Sequence, residues 1–277
     1  MAKYDISRLT IAITGSTGGL GSALAKALHA KGAKLALLDL DGAAAQQQAL
    51  ELGGQARARG WAVNVRSMES LQQAIDEAAA HFGGLDLVIA NAGITEMEAL
   101  VNGSEATFTR VIDINLNGVW RTFKAAVPHV QKRKGYLLAI SSMAAFIHSP
   151  LQSSYAASKA GVWAMCDSIR LELRHLGVGV GSVHPTFFPT PMMDGVFADA
   201  AGNRIWDGNK GGIWKMVTLA SVVTAIVEGI EQRSDMIVAP KRIGLIARAP
   251  GVFRKAVEAL GFRDSEIEQA VAAAGRR

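Results

Sequence analysis

Cysteine is almost absent from this chain of 277 residues, with Cys166 the only one. No intramolecular disulfide can form, thiolate metal clusters are excluded, and a reducing, cytoplasmic setting is expected. Cys166 itself is expected to pack within a helix, since free cysteine is among the most buried residue types. Long apolar runs are missing as well. The longest, over residues 216–227, is interrupted by Thr218, Ser221 and Thr224. It falls short of the roughly 18 residues of a membrane span and reads as a buried helix. The first apolar run starts at Leu9, is too short for a signal peptide and is needed as a strand. The six histidines never adopt His-Glu-x-x-His spacing, so no metal site is expected. Internal repeats are absent, and the one biased stretch is a short Ala/Gln-rich helix near residues 43–49. Basic side chains outnumber acidic ones by 29 to 24, yet outside the C-terminal region they are scattered and carry no binding motif, so nucleic acid is not an expected partner.

What the chain does have begins at its N-terminal end. Leu9-Thr10-Ile11-Ala12-Ile13 reads as a strand and empties into Thr14-Gly15-Ser16-Thr17-Gly18-Gly19-Leu20-Gly21, after which Leu20, Leu24, Ala27 and Leu28 recur at helical spacing. Glycines in such a turn let the backbone approach a pyrophosphate, and the following helix N-terminus offers unpaired N–H groups to the anion. Farther along, Tyr155 and Lys159 stand four residues apart, a spacing that puts a proton donor and a cation on one helix face. Strands alternate with helical segments throughout, which predicts a single α/β unit with a core large enough to need no staples.

These motifs come in company. Asn91-Ala92-Gly93 follows an apolar strand over 85–90, Asn115 lies within Asp113-Ile114-Asn115-Leu116-Asn117-Gly118, and Ser142 follows a strand over 136–141. With the T-G-x-x-x-G-x-G turn and the Tyr155/Lys159 pair in the same order, the chain resembles the short-chain dehydrogenase/reductase family from Leu9 to about Val238. The resemblance implies a Rossmann-type doubly wound parallel sheet. The whole of 1–277 would be one such domain, with a core over 1–240 and an extension over 241–277. It also implies catalysis by Asn115, Ser142, Tyr155 and Lys159. Tyr155 would exchange the hydroxyl proton during hydride transfer. Lys159 would lower the Tyr155 pKa and bind the nicotinamide ribose, Ser142 would bond the substrate oxygen, and Asn115 would hold a proton-relay water.

The cofactor would lie on Gly15, Ser16, Thr17, Gly19, Leu20 and Gly21, with Asn64 and Val65 at the adenine and Asn91, Ala92 and Gly93 along its ribose. Asn91 is expected to be mainly structural, and Asn64 stands where the family usually has Asp. Asp39, eighteen residues after Gly21, ends the second strand where a carboxylate binds the adenosine ribose hydroxyls and repels a 2′-phosphate. NAD is therefore the expected cofactor, because Ser16, Thr17 and Leu40 supply no bidentate cation for that phosphate. NADP(H) use is the main alternative, and a non-catalytic dinucleotide sensor is the alternative outside enzymes.

On the substrate side, Pro185 and Thr190 match the family's cofactor-contacting segment, while Thr186 replaces its usual glycine. Met192, Met193, Phe197, Trp206, Trp214 and Met216 then suggest a mobile apolar lid over about 186–216, with packing against the body as the plainer reading. An apolar alcohol or ketone is the expected substrate. Residues 241–277 carry 8 basic and 4 acidic side chains with apolar residues at helical spacing. Such a basic amphipathic extension packs on the subunit or touches an anionic membrane surface. A homodimer or homotetramer through long helices over 106–127 and 155–176 is the expected assembly.

Overall fold

A computed structural model describes residues 4–209 and 215–275. Seven strands form one parallel sheet: β1 (Thr10–Thr14), β2 (Lys34–Asp39), β3 (Ala58–Ala62), β4 (Leu87–Ala90), β5 (Tyr136–Ile140), β6 (Gly179–Pro185) and β7 (Met236–Ala239). Their order is β3-β2-β1-β4-β5-β6-β7. Alternation along the strands divides the core: Ile11, Ile13, Leu87 and Ile89 pack on one face of the sheet, Ala12, Val88 and Ala90 on the other. Burial on both faces is the ordinary condition of parallel sheets, whose crossover helices cover each side.

On the first face lie α1 (Gly19–Ala30), α2 (Gly42–Glu51) and, from the far end of the chain, α9 (Leu219–Gln232). The apolar stretch over 216–227 thus forms much of a buried helix, contributing Val222, Val223, Ile226 and Val227. The second face is covered by α3 (Met68–Phe82), α5 (Gly118–Lys132) and α6 (Ser153–Leu173), where Cys166 is buried and its thiol pushed up to about 12 by that burial. Of the two long helices expected from the sequence, α6 runs on through a 3-10 turn to Leu176. The other is divided: α4 (Glu105–Ile112) is joined to α5 by a π-helical turn, Asp113–Asn117.

Beyond β6 the chain builds α7 (Pro191–Ala198) and α8 (Ala200–Trp206); beyond β7 it builds α10 (Gly244–Arg248), α11 (Pro250–Gly261) and α12 (Asp264–Ala274). These two regions pack on each other. Val196, Ala201, Ile205 and Trp206 share a cluster with Met97, Leu151 and the α12 residues Ala270 and Ala274. The segment expected as a lid packs on α12, the arrangement of the plainer reading. Trp214, placed in that lid from the sequence, lies outside the described residues.

Candidate active site

The chain order reverses between β1 and β4, and at such a switch point ligands bind beyond the carboxyl ends of parallel strands. A cavity of about 920 Å³ opens there, running from the glycine turn after β1 to the C-terminal extension. At one end the turn is built for close approach. Gly15 has φ +64°, and a Cβ on it would lie 2.8 Å from Ala92 Cα, while one on Gly21 would fall 2.1 Å from the Gly15 carbonyl oxygen. Only glycine fits both places. The cap residue of α1, Gly18, offers no side chain to its first N–H groups, which leaves them for an anion.

Of the residues assigned to the cofactor, Gly15, Thr17, Gly19, Leu20, Gly21, Asp39, Asn64, Val65, Asn91, Ala92, Gly93, Pro185 and Thr190 all line this cavity. Ser16 is not among the residues lining it. Its side chain is fully buried, its N–H donates to Leu38 O and its carbonyl accepts from Gln48 Nε2 at 2.9 Å, so it fastens the turn to β2 and α2 from behind. Asn91 is likewise a fastening. Its Nδ2 donates to the carbonyls of Thr14 (3.0 Å) and Gly15 (2.9 Å), tying β4 to the turn. Asp39 Oδ2 accepts from both the N–H (2.9 Å) and the hydroxyl (2.8 Å) of Thr17. That holds the carboxylate at the cavity wall beside exposed Leu40.

A network absent from the sequence reading lies next to it. Asp113 takes Arg66 at 2.9 Å and Arg121 at 2.8 Å. Burial pushes the Asp113 carboxyl up, but hydrogen bonds from Arg66, Arg121 and Asn117 outweigh it and hold the group below the usual carboxylate range. Arg66, the cation lining the cofactor end of the cavity besides Lys159, is thus engaged with a carboxylate. Nearby, Asn64 lines the cavity and its Oδ1 accepts from Arg66 N at 3.0 Å.

At the middle of the cavity the carboxyl end of β5 meets the start of α6. Ser142 Oγ accepts from Ala144 N at 3.1 Å, and the same side chain acts on the Tyr155 phenol, favouring its ionised form. Lys159 is buried, donates to Ile140 O at 2.9 Å, and has its Nζ 5.5 Å from the centre of the Tyr155 ring. Burial lowers the Lys159 ammonium to about 8. Burial also raises the Tyr155 phenol. The Lys159 ammonium donates to a backbone carbonyl beside the Tyr155 ring, and the Ser142 side chain opposes the effect of burial on the phenol. Gly93 makes room for this arrangement, since a Cβ on it would lie 3.2 Å from Asn115 Oδ1 and 3.5 Å from Lys159 Nζ.

Asn115 sits in the π-helical turn and is fully buried. Its Oδ1 accepts from Ile94 N at 2.8 Å, and its Nδ2 donates to Ile94 O (2.8 Å) and Ser158 Oγ (3.2 Å). The side chain is therefore a clamp between the strand-end loop and α6, and π-turns of this kind recur at functional sites.

The structure adds residues that sequence reasoning passed over. His184, fully buried on β6, has Nε2 2.9 Å from Ser182 Oγ and Nδ1 3.3 Å from the Ser142 carbonyl. A carbonyl only accepts, so Nδ1 carries the proton and braces the backbone of Ser142 from behind. Thr95, Ser149 and Gln152 form a polar chain in the cavity wall, with Ser149 donating to Gln152 Oε1 (2.7 Å) and Gln152 Nε2 to Thr95 (3.2 Å). Gln152 lies three residues before Tyr155, a helical spacing that could have revealed it. The preceding Leu151 has φ +63°, an uncommon left-handed conformation for a branched residue, and its carbonyl accepts from Glu98 N at 2.9 Å.

The far end of the cavity is apolar. Ile147, Phe187, Met192, Met193, Val196 and Trp206 line it together with Arg242, Ile243, Ile246, Val257 and Phe262 from the extension. Phe197, placed in the lid from sequence, packs in the cluster behind this wall instead. Thr190 caps α7, its Oγ1 accepting from Met193 N at 3.3 Å, and a Cβ on Gly19 would lie 3.1 Å from its methyl, so this segment closes on the glycine turn. Thr186 takes the place of the family's glycine without a left-handed backbone, its N–H bonded to Ala239 O at 2.8 Å.

The family model described as short chain dehydrogenase matches residues 9–201. The chain belongs to this family. Members use a nicotinamide dinucleotide and are oxidoreductases. The oxidoreductase UcpA of Salmonella typhimurium is 33% identical over 190 residues, covering 68% of this chain and 72% of that one. The 3beta-hydroxysteroid dehydrogenase 1 of Eggerthella lenta is 34% identical over 200 residues, covering 70% and 76%. In fold, a short chain dehydrogenase/reductase from Burkholderia phymatum in complex with NAD superposes with a TM-score of 0.79 at 23% identity, over 92% of this chain and 96% of that one. Among the described residues, no group of three His, Cys, Asp or Glu could hold a metal ion, and no helix is long and apolar enough to cross a membrane.

The dinucleotide site of the family fits the residues present. The glycine cradle would be filled by any Cβ at Gly15 or Gly21, and the Asp39 carboxylate stands at the strand end where a ribose belongs. A pyrophosphate would lie against the first N–H groups of α1, and the nicotinamide ribose would come to Tyr155 and Lys159.

Proposed function

We propose that this protein is an NAD(H)-dependent oxidoreductase that interconverts an apolar secondary alcohol and its ketone. The observation that carries this reading is the meeting of Ser142, Tyr155 and Lys159 midway along one cavity, with a glycine cradle at one end and an apolar pocket at the other. A bound nicotinamide would supply or accept the hydride. Tyr155 donates its phenolic proton to the carbonyl oxygen in reduction and takes the hydroxyl proton in oxidation. Ser142 holds that oxygen beside the phenol, and Lys159, charged below about pH 8, restores positive potential to the site.

The NAD choice is supported by Asp39, by Leu40 next to it and by the engagement of Arg66 with Asp113. An apolar substrate is supported by the pocket lining and by the hydroxysteroid dehydrogenase among the relatives. A sensor would have no use for a proton donor and a buried cation at the mouth of a substrate pocket. The reading extends to a homo-oligomer through α4, α5 and α6, which leave Phe108, Trp120 and Leu171 exposed. It extends also to peripheral contact with anionic membranes through exposed Leu245, Val252 and Leu260. Turnover of secondary alcohols graded in length and ring size, followed with NAD⁺ and NADP⁺ in parallel, tests it; preference for NADP⁺ removes the cofactor assignment, and no turnover of any alcohol or ketone removes the reaction. Sedimentation velocity and vesicle cosedimentation at low and high salt decide the two surface assignments.

A further inference from the structure

The apolar end of the cavity carries one formal charge that the reaction does not use. Among its described lining residues the basic groups are Arg66, Lys159 and Arg242, and the single carboxylate, Asp39, belongs to the cofactor end. Arg242, an exposed residue, thus lines the cavity among the apolar residues of the extension, and no acid is among the described lining residues of that wall. In the extension Lys241 is paired with Glu228 at 2.7 Å, Arg254 with Glu258 at 3.4 Å and Arg263 with Glu266 at 3.9 Å, whereas Arg242, Arg248 and Lys255 are not, and of the extension's described basic residues only Arg242 lines the cavity. Arg242 has no carboxylate partner among the described residues. Its backbone belongs to the short 3-10 turn Lys241–Ile243, which carries the Lys241 ion pair on one side and on the other Ile243, packed against the cluster that includes Met143, Ala145 and Phe146, next to Ser142 in sequence.

An unpaired guanidinium at the open side of an apolar pocket favours a ligand that is apolar along its length and anionic at its outer end, since guanidinium matches carboxylate and phosphate geometry in bidentate fashion. We infer that the substrate carries a carboxylate or phosphate at the end remote from the reacting carbon, held by Arg242. This rests on the oxidoreductase reading of the same site and narrows its substrate class from an apolar alcohol or ketone to an amphiphilic, anionic one. The chemistry also separates this role from the cofactor, whose pyrophosphate belongs at the opposite end on α1.

The test compares methyl-ketone carboxylic acids of graded chain length with their methyl esters and with the matching phosphate monoesters, NADH being the reductant, in the native chain and in Arg242→Ala, Arg242→Lys and Arg242→Glu. At the best-fitting length the native enzyme should favour an anionic ketone over the methyl ester by about tenfold in KM, the scale of one charge-assisted hydrogen-bonded contact. Whether carboxylate or phosphate is preferred identifies the anion. The preference should fall to near parity in Arg242→Ala, be partly kept in Arg242→Lys and invert in Arg242→Glu, while the KM for NADH stays put. Equal KM values for acid, phosphate and ester in the native enzyme would overturn the inference, and so would a change in NADH affinity in these variants. Calorimetric binding of dodecanoate to the complex with NADH separates this claim from the reaction itself. Loss of that binding in Arg242→Glu with no ketone turned over would keep the anion site and discard the oxidoreductase reading. Equal binding in both chains would discard the anion site even where esters are reduced.

Discussion

Lys159 Nζ lies 5.5 Å from the centre of the Tyr155 ring and 2.9 Å from the Ile140 carbonyl, in a buried position that lowers its pKa to about 8. The proton on this amine is consequently lost within the range where an exposed lysine keeps it, near 10.4. Below about pH 8 the ammonium is present and can bind ribose hydroxyls; above it the neutral amine offers a weaker donor and no charge. We expect NADH affinity of the free enzyme to decline as pH rises through about 8, and Lys159→Ala to lose both the affinity and that pH dependence. Fluorescence titration of NADH across the alkaline range checks this; an affinity that is flat to pH 10 in the native chain would place the ribose contact elsewhere.

Tyr155→Phe removes a hydroxyl while keeping the ring that packs beside Lys159. Turnover should fall by about 10²- to 10⁴-fold, the usual weight of general acid/base catalysis, with NADH affinity changed by less than about twofold. Since Ser142 is the group that opposes burial at Tyr155, Ser142→Ala should also move the alkaline limb of the rate profile upward. A variant Tyr155→Phe with most of its activity would mean that another group carries the proton.

On the proposed reading, cofactor choice turns on Asp39. Asp39→Asn keeps an oxygen able to accept from Thr17, as Asp39 Oδ2 does at 2.8 and 2.9 Å, but removes the charge that repels a 2′-phosphate. The ratio of kcat/KM for NAD⁺ over NADP⁺ should shrink by about tenfold or more, the change expected when a charged hydrogen-bond acceptor is replaced by a neutral one. Unaltered selectivity in this variant would assign discrimination to Arg66 and its partners instead.

Much of this site could be read from local pattern. β1, β2, β4 and β5 announced themselves as apolar runs, whereas β3 carries Arg59 and Gly60; the glycine turn, Asn91, Ser142, Tyr155 and Lys159 are legible because their chemistry depends on short spacing and on strand ends. What escaped is non-local. Nothing in residues 241–277 alone says that Ile243, Ile246, Val257 and Phe262 return to wall the apolar end of the cavity, nor that α12 would pack on α8. Ser16 illustrates a finer limit: sequence places it in the phosphate turn, but only the backbone path decides that its side chain turns inward behind it. His184 left no pattern at all, being one buried residue before a proline.

Gly21 gives a stringent test of the cradle. A Cβ there would come within 2.1 Å of the Gly15 carbonyl oxygen and 2.9 Å of Asn91 Nδ2, the amide that ties the turn to β4. Gly21→Ala must therefore push the turn open, at a cost of about 1–3 kcal/mol typical of overpacking. Thermal melting should show the loss, and dinucleotide binding should weaken more than stability does. Gly54, whose left-handed φ of +72° has open space around it, serves as the control: Gly54→Ala should cost stability alone.

His184 makes the acid side of the profile. Burial, reinforced by Lys159, lowers its pKa to about 4, against which the bond to the Ser142 carbonyl works in the opposite sense. The unfolded chain would take up this proton near pH 6.5, so between about 6.5 and 4 the unfolded state binds more protons than the folded one, and stability falls as pH falls through that window. A displacement of this size corresponds to about 3 kcal/mol, most of it expressed by pH 4. His184→Asn should keep a donor toward Ser142 while removing the titration, so its stability difference from the native chain should narrow as pH drops from 7 toward 4. Urea melts of both chains at each pH measure this directly. A constant difference across the window would show that His184 ionises freely and does not brace the serine as a neutral imidazole.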